Sequence, residues 1–273
     1  MDTPPTVMGI VNVTPDSFSD GGRAAAADDA VAQARTQIAA GAGIVDIGGE
    51  STRPGAKEVP LEEEWRRIAP VLERLMAEAA PVSVDTRKAE IMRRAIALGV
   101  PVINDVSALT FDPDSVGVVA ESSAEVVLMH ARGLPETMQD NPTYDDVADE
   151  VLSYLEERIG VCEAAGIDRA RIIADPGIGF GKSFRHNLLL FAALPRFREL
   201  GVHILVGASR KGFVGWLSGV EQADQRLGGS IGAALAAVQN GADILRVHDV
   251  AETVQAITVY RAAMRGQADD AAG

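Results

Sequence analysis

Short apolar, β-branched runs alternate along this chain with longer segments whose apolar residues recur every three or four positions. The runs are Val7–Val13, Ile44–Gly49, Val82–Thr86, Val102–Ser107, Glu125–His130, Arg171–Asp175, Ile204–Ser209 and Ile244–His248. Between and after them lie Asp28–Ala40, Glu62–Ala79, Lys88–Leu98, Ser115–Ser122, Tyr144–Ala165, Phe184–Leu200, Leu227–Asn240 and Ala251–Met264. The fifth of these shows the helical period: Val147, Val151, Leu152, Tyr154, Leu155, Arg158, Ile159 and Cys162 share one face, with acidic residues between. Gly41, Gly99, Gly166, Gly201 and Gly241 stand where helices end and the next run follows within a few residues. Near-continuous apolar strands suit a parallel sheet covered on both faces. Eight such units predict an α/β fold, a (β/α)8 TIM barrel in a single domain over residues 1–265, with 266–273 as a small, acidic tail. A doubly wound open sheet is the alternative arrangement of the same elements.

Composition narrows the partners. The chain has 273 residues and a formal net charge of −14, with no basic tract to offset it. Nucleic acid and anionic membrane are therefore poor partners, and any anionic ligand must meet a local basic cluster. One cysteine, Cys162, excludes an internal disulfide; with no leader pattern and no membrane-spanning run, a cytoplasmic protein is expected.

The candidate chemistry gathers at one end of the strands. The first run carries Asn12 and breaks at Thr14-Pro15 into a polar loop holding Asp16, Phe18 and Asp20 before Gly21-Gly22. The second leads into Gly49-Glu50-Ser51-Thr52-Arg53-Pro54-Gly55, the third ends in Asp85-Thr86 and the fourth carries Asn104-Asp105. The fifth ends in Met129-His130, and the sixth in Asp175 before Pro176-Gly177-Ile178-Gly179-Phe180-Gly181-Lys182. The seventh gives Ser209-Arg210-Lys211 and the eighth Arg246-Val247-His248-Asp249. Barrel active sites form at the C-terminal ends of strands, so this distribution describes a catalytic mouth.

Asp85, Asn104 and Asp175 sit on strands that point into the barrel, where bare carboxylates are costly; together they suit a flat ligand rich in N–H donors, such as an aminopyrimidine or pterin edge. Metal binding by the same aspartates competes with this reading, without His- or Cys-rich spacing to support it. Asp105 reads equally as a loop brace. Arg53, Lys211, Arg246 and His248 bring positive charge to the rim and, with Asn12, make a cradle for a diphosphate and Mg2+, an ion that keeps oxygen ligands around substrate phosphates. Gly177-x-Gly179-x-Gly181-Lys182 lacks the spacing of a P-loop. His203 and His186 read as structural, and His130 as lining the mouth or fixing a loop.

These motifs, in this order and over nearly the whole chain, resemble the dihydropteroate synthases of folate biosynthesis. The most specific pieces are Asn12 to Gly22, Gly49 to Gly55 and Asp175 to Lys182. The resemblance implies condensation of (7,8-dihydropterin-6-yl)methyl diphosphate with 4-aminobenzoate by a dissociative substitution, with sulfonamides as inhibitors. It implies that Asp85, Asn104, Met129, Asp175, Gly207 and Lys211 hold the pterin. Phe18, Thr52, Pro54, Phe180 and Gly212 would bound the 4-aminobenzoate slot. Asn12, Arg53, Arg246 and His248 would bind diphosphate, with Asn12 the Mg2+ ligand, and Asp20, Arg53 and Lys211 are carried over as catalytic. A homodimer through late helices such as Leu227–Asn240 is implied as well.

Two departures from the family pattern stand out: Gly212 where many members carry a hydroxyl or longer polar side chain, and Ser107-Ala108-Leu109 where a glycine-rich turn is expected. The rival functions are a pterin-binding methyltransferase module and a catalytically silent pterin-binding paralogue. The first would have no use for the diphosphate cradle, and the second would have lost part of it.

Overall fold

In the computed structural model the described residues are 3–14, 22–51, 55–133, 138 and 142–266, without the side chains of 22–25. Eight parallel strands close into a barrel in chain order: β1 (Thr6–Asn12), β2 (Ile44–Gly48), β3 (Val82–Asp85), β4 (Val102–Asp105), β5 (Glu125–Met129), β6 (Ile172–Asp175), β7 (His203–Val206) and β8 (Ile244–Val247). The ring is sealed where β1 pairs with β8, Met8 beside Arg246. The open-sheet alternative is thereby excluded. Around the barrel run α1 (Gly22–Ala39), α2 (Leu61–Ala77), α3 (Ala89–Ala97), α4 (Ser115–Ala120), α5 (Val147–Ala164), α6 (Phe184–Phe197), α7 (Gly212–Ser218), α8 (Leu227–Gln239) and α9 (Val250–Arg265).

The helices form where apolar periodicity and caps agree. Asp146 opens α5 by accepting from the N–H groups of Ala148 and Asp149, and Ser183 and His186 form a reciprocal box at the start of α6. The five glycines expected to close helices all take a positive φ. Two differences from the sequence reading have physical causes. Helix α1 begins at Gly22, six residues before the expected Asp28, because its alanine-rich start shows no contrast between faces. Helix α7 does not show in the pattern of apolar positions; Gly-Phe-Val-Gly-Trp-Leu-Ser is two turns long with two glycines, too short for periodicity to register.

Two apolar shells result. The larger lies between barrel and helices, built from residues such as Val11, Val45, Val84, Ile103 and Leu128 on the outer strand faces. Inside the barrel Met8, Val102, Val127, Ile173, Leu205 and Ile244 form a separate buried layer, with Ile44 packed against it. Strand side chains alternate faces, so the residues two positions on also point inward, one layer nearer the C-terminal rim.

Candidate active site

That next layer reads Ile10, Asp46, Asp85, Asn104, Met129, Asp175, Gly207 and Arg246 from β1 round to β8. Apart from Ser83 on β3 the layer below is apolar, whereas five of these eight positions, Asp46, Asp85, Asn104, Asp175 and Arg246, carry a charge or an amide. Asp85, Asn104, Met129 and Asp175 are all buried. Asp85 stands opposite Asn104 in register, and Gly48 opposite Asp85.

Asp46, which the sequence reading passed over, is the hub of this layer. It is fully buried and accepts from Asn104 Nδ2 at 2.9 Å and from Arg246 Nε at 2.6 Å. The signal for it was present: a single carboxylate two residues after Ile44 in an otherwise apolar strand. Arg246 Nη2 donates to Asp85 Oδ2 at 2.8 Å, so one guanidinium ties the two carboxylates together. Arg246 therefore lies below the rim where the sequence reading had it, drawn in by two buried acids. Burial raises the Asp85 carboxyl above its ordinary range and Asp46 adds to this, while Arg246 opposes both. Asp46 Oδ1 has no hydrogen-bond partner among the described residues.

Asp175 accepts from the Gly177 N–H at 2.7 Å, which starts the β6 loop. Its carboxyl is raised by burial, against the pull of Lys211. The loop that follows needs its glycines. A Cβ at Gly177 would stand 1.9 Å from the His130 carbonyl oxygen and one at Gly181 2.2 Å from that of Arg132, both at positive φ. The route of this loop brings Phe180 under Lys211, whose Nζ lies 4.2 Å from the ring centroid and donates to the Ile178 carbonyl. Burial pushes the Lys211 ammonium down to about 7, against the attraction of Asp175.

Lys182 and His130 fix the loop from behind. Lys182 is almost fully buried, with Nζ 2.9 Å from His130 Nδ1, 3.0 Å from the Phe180 carbonyl and 3.2 Å from that of His130. Burial lowers the Lys182 pKa well below its usual value and takes His130 down to about 3. Neither faces the mouth, which agrees with the rejection of a P-loop and gives His130 the loop-fixing role. Asp105 proves to be a brace: it accepts from Ser107 N and Oγ, both at 2.7 Å, and from Leu109 N at 2.9 Å. Those bonds hold Ala108 and Leu109 at positive φ, which is how a turn without glycine is accommodated.

At the rim, His248 Nδ1 lies 3.1 Å from Ser209 Oγ, and Gly212 is exposed at the start of α7. Gly207 keeps the wall open beside Arg246, whose Cβ is 3.7 Å from where a Cβ on Gly207 would stand. Asn12 ends β1, and its Oδ1 and Asp85 Oδ2 each lie 3.8 Å from where a Cβ on Gly48 would be. The glycine leaves a hollow with an amide oxygen on one side. A single oxygen ligand of this kind, completed by water and substrate phosphates, fits Mg2+; no cluster of three acids, histidines or cysteines occurs among the described residues. Phe18, Asp20, Thr52, Arg53 and Pro54 lie outside the described residues.

The second-loop stem carries a network that the sequence reading did not assemble. Glu50 is buried and accepts from Arg87 Nε at 2.9 Å, Lys88 Nζ at 2.6 Å and Val59 N at 2.8 Å. Lys88 also reaches Glu64, which accepts from Thr86 Oγ1 at 2.7 Å. The residues involved come from the connection between β2 and α2, from α2 and from the β3–α3 turn.

Comparison with known proteins agrees with this geometry. A family described as pterin binding enzyme matches residues 8–248. The dihydropteroate synthase of Escherichia coli K12 is 48% identical over 261 residues, 95% of this chain and 92% of the relative. A Xanthomonas albilineans dihydropteroate synthase with 4-aminobenzoic acid superposes with a TM-score of 0.90 at 54% identity, covering 96% of this chain and 93% of that one. A structure from the same organism in complex with 7,8-dihydropteroate gives a TM-score of 0.87 at 50% identity, with 96% and 94% covered. A Yersinia pestis dihydropteroate synthase with a sulfonamide drug complex gives 0.90 at 43%, with 96% and 95% covered.

Proposed function

The chain belongs to the pterin binding enzyme family, among its dihydropteroate synthases, and from that premise we propose how its residues divide the work. The reaction is condensation of (7,8-dihydropterin-6-yl)methyl diphosphate with 4-aminobenzoate. The C–O bond to diphosphate breaks, a C–N bond to the arylamine forms, and one amine proton is lost.

The observation that carries the assignment of roles is the polar inward layer of Asp46, Asp85, Asn104, Asp175 and Arg246 directly above an apolar floor. Its acceptors suit the N–H edge of a pterin. Asp85, Asn104 and Asp175 hold that edge, with Met129 and Gly207 lining the plane and Lys211 donating to the ring. As the leaving group departs, positive charge spreads into the pterin, and the fixed carboxylates stabilise it without reorganising. Asn12, Arg53, Arg246 and His248 receive the diphosphate. Mg2+, held by Asn12, neutralises phosphate charge when bound. Phe18, Thr52, Pro54, Phe180 and Gly212 bound the 4-aminobenzoate slot, and Asp20 orders the first two loops. The amine needs no strong base, being nucleophilic when neutral.

We also propose a homodimer in solution. Phe184, Trp216, Leu217 and Leu227 are exposed on α6, α7 and the start of α8, with the Phe184 and Trp216 ring centroids 5.6 Å apart and their planes tilted by 34°. A patch of this kind is costly in water unless covered. Among the described residues no helix is long and apolar enough to cross a membrane.

The test is diphosphate release with Mg2+, with and without 4-aminobenzoate, with dihydropteroate followed in parallel. Matched release of diphosphate and dihydropteroate is expected, with competitive inhibition by sulfonamides against 4-aminobenzoate. Pterin binding without either product would point instead to the silent paralogue or the methyltransferase module.

A further inference from the structure

The two rim motifs, Ser209-Arg210-Lys211 and Arg246-Val247-His248-Asp249, contain three polar residues with no part in the roles above: Ser209, Arg210 and Asp249. In the structure these leftovers cross-link the two motifs. Ser209 Oγ meets His248 twice, accepting from its N–H at 3.2 Å and lying 3.1 Å from its Nδ1. Arg210 grips the Asp249 carboxylate with both arms of its guanidinium, Nε to Oδ2 at 3.0 Å and Nη2 to Oδ1. A two-armed Arg–carboxylate contact fixes direction as well as distance.

The backbone at Arg210 is held just as closely. Its φ is +60°, in the left-handed region that side chains with a Cβ seldom take. Its N–H donates to Ser230 Oγ at 2.9 Å and its carbonyl accepts from Arg226 Nη1 at 2.9 Å. Ser230 Oγ in turn donates to the Arg226 carbonyl at 2.8 Å. This reversal between Ser209 and Lys211 aims Lys211 across the mouth to Ile178 and Phe180, while Arg210 turns outward to Asp249. A turn of this conformation persists only where its surroundings determine it, and such turns concentrate at functional sites.

We propose that Arg210 and Asp249 act together as positioning residues, locking the lysine after β7 to the histidine after β8, so that the pterin-donating and diphosphate-receiving groups keep a fixed spacing. The inference rests on the functional reading above. Its consequence is specific: loosening the pair harms the substrate that spans both groups, the dihydropterin diphosphate, and spares 4-aminobenzoate.

The experiment uses Arg210→Ala, Asp249→Ala, the double variant, Arg210→Lys and Arg210→Gly in the full-length protein. Each single alanine variant is expected to raise KM for the dihydropterin diphosphate about tenfold, since small misplacements of binding groups carry large penalties. KM for 4-aminobenzoate should stay within about twofold. The double variant should be no worse than the worse single, because either change breaks the same contact. Arg210→Lys should recover part of the loss, as a point charge without the fork. Arg210→Gly relieves the backbone yet removes the pair, and should be as impaired as Arg210→Ala. Inorganic diphosphate should bind Asp249→Ala more weakly in calorimetry.

Effects that multiply in the double variant would overturn the proposal, as would wild-type behaviour of Arg210→Gly. A parallel fall of both affinities in step with thermal stability would mark a merely structural pair and sink it too. If the unmodified protein formed no dihydropteroate, the functional reading would fail by itself, and diphosphate binding to the variants would still judge the coupling of the two motifs.

Discussion

Replacing Asp46 by Asn tests whether the polar layer works as one unit. The side chain keeps its volume and loses its charge. Asp46 now accepts from two donors, Arg246 Nε at 2.6 Å and Asn104 Nδ2 at 2.9 Å. Both donors meet the same oxygen, Oδ2, so an amide oxygen placed there keeps both bonds and puts the new NH2 where Oδ1 now lies without a partner. The bond from Arg246 loses its charge assistance, costing about 1 kcal/mol, and the NH2 is buried without an acceptor, adding about 2 kcal/mol. Arg246 keeps Asp85, so the full penalty of a stranded buried charge is avoided. At about 2 °C per kcal/mol for a chain of this length, Tm should fall by about 6 °C. Asn104 and Arg246 both touch the proposed pterin site, so about 2 kcal/mol of that disturbance should also appear in catalysis, as a fall of about 30-fold in kcat/KM for the dihydropterin substrate. Calorimetry and steady-state kinetics read the two quantities on one preparation. A variant with unchanged Tm and unchanged KM for the dihydropterin substrate would refute the claim that Asp46 organises the layer.

Three further outcomes are expected. Between about pH 7 and the ordinary lysine pKa of 10.5 the unfolded chain holds a proton that folded Lys211 has given up, so this group makes stability rise with pH in that window. Asp85, raised to about 8, acts in the opposite sense up to that pH and overlaps the start of the window, so the readout is the difference between wild type and Lys211→Met in Tm against pH, and parallel curves would count against a depressed lysine. Gly177→Ala would drive a Cβ into the His130 carbonyl at positive φ; a loss of more than about 3 kcal/mol by denaturant titration is expected, and a soluble variant of normal stability would contradict the loop geometry. Gly212→Ser should lower KM for 4-aminobenzoate by offering a hydroxyl at the start of α7, provided the Phe184 ring yields the few tenths of an ångström that its 3.3 Å approach demands; an unchanged or higher KM would show that it does not.

The barrel was legible because eight strands buried on both faces have no other way to announce themselves than short apolar runs, and the rim motifs were legible because polar residues at strand ends are rare without cause. Asp46 was missed for the opposite reason: it interrupts β2 in mid-strand, where a lone carboxylate looks like a local exception until the period of two is followed round all eight strands. Arg246 was read at the rim because its reach toward Asp46 and Asp85 depends on side-chain direction, which a linear chain does not display. The Glu50 network joins residues up to 38 positions apart, and Lys182 reaches His130 across 52. Contacts of that span follow from closure of the barrel rather than from local spacing.

The apolar layer of Met8, Val102, Val127, Ile173, Leu205 and Ile244 closes the barrel from below, so that among the described residues the rim is the door to the polar layer. Traffic through one door must queue. On the roles proposed here the pterin rests at the bottom, so it has to arrive before 4-aminobenzoate stands over it, and the joined product withdraws only after the diphosphate has cleared the threshold. Initial-velocity and product-inhibition patterns of a compulsory sequence, rather than a random one, are what this floor prescribes.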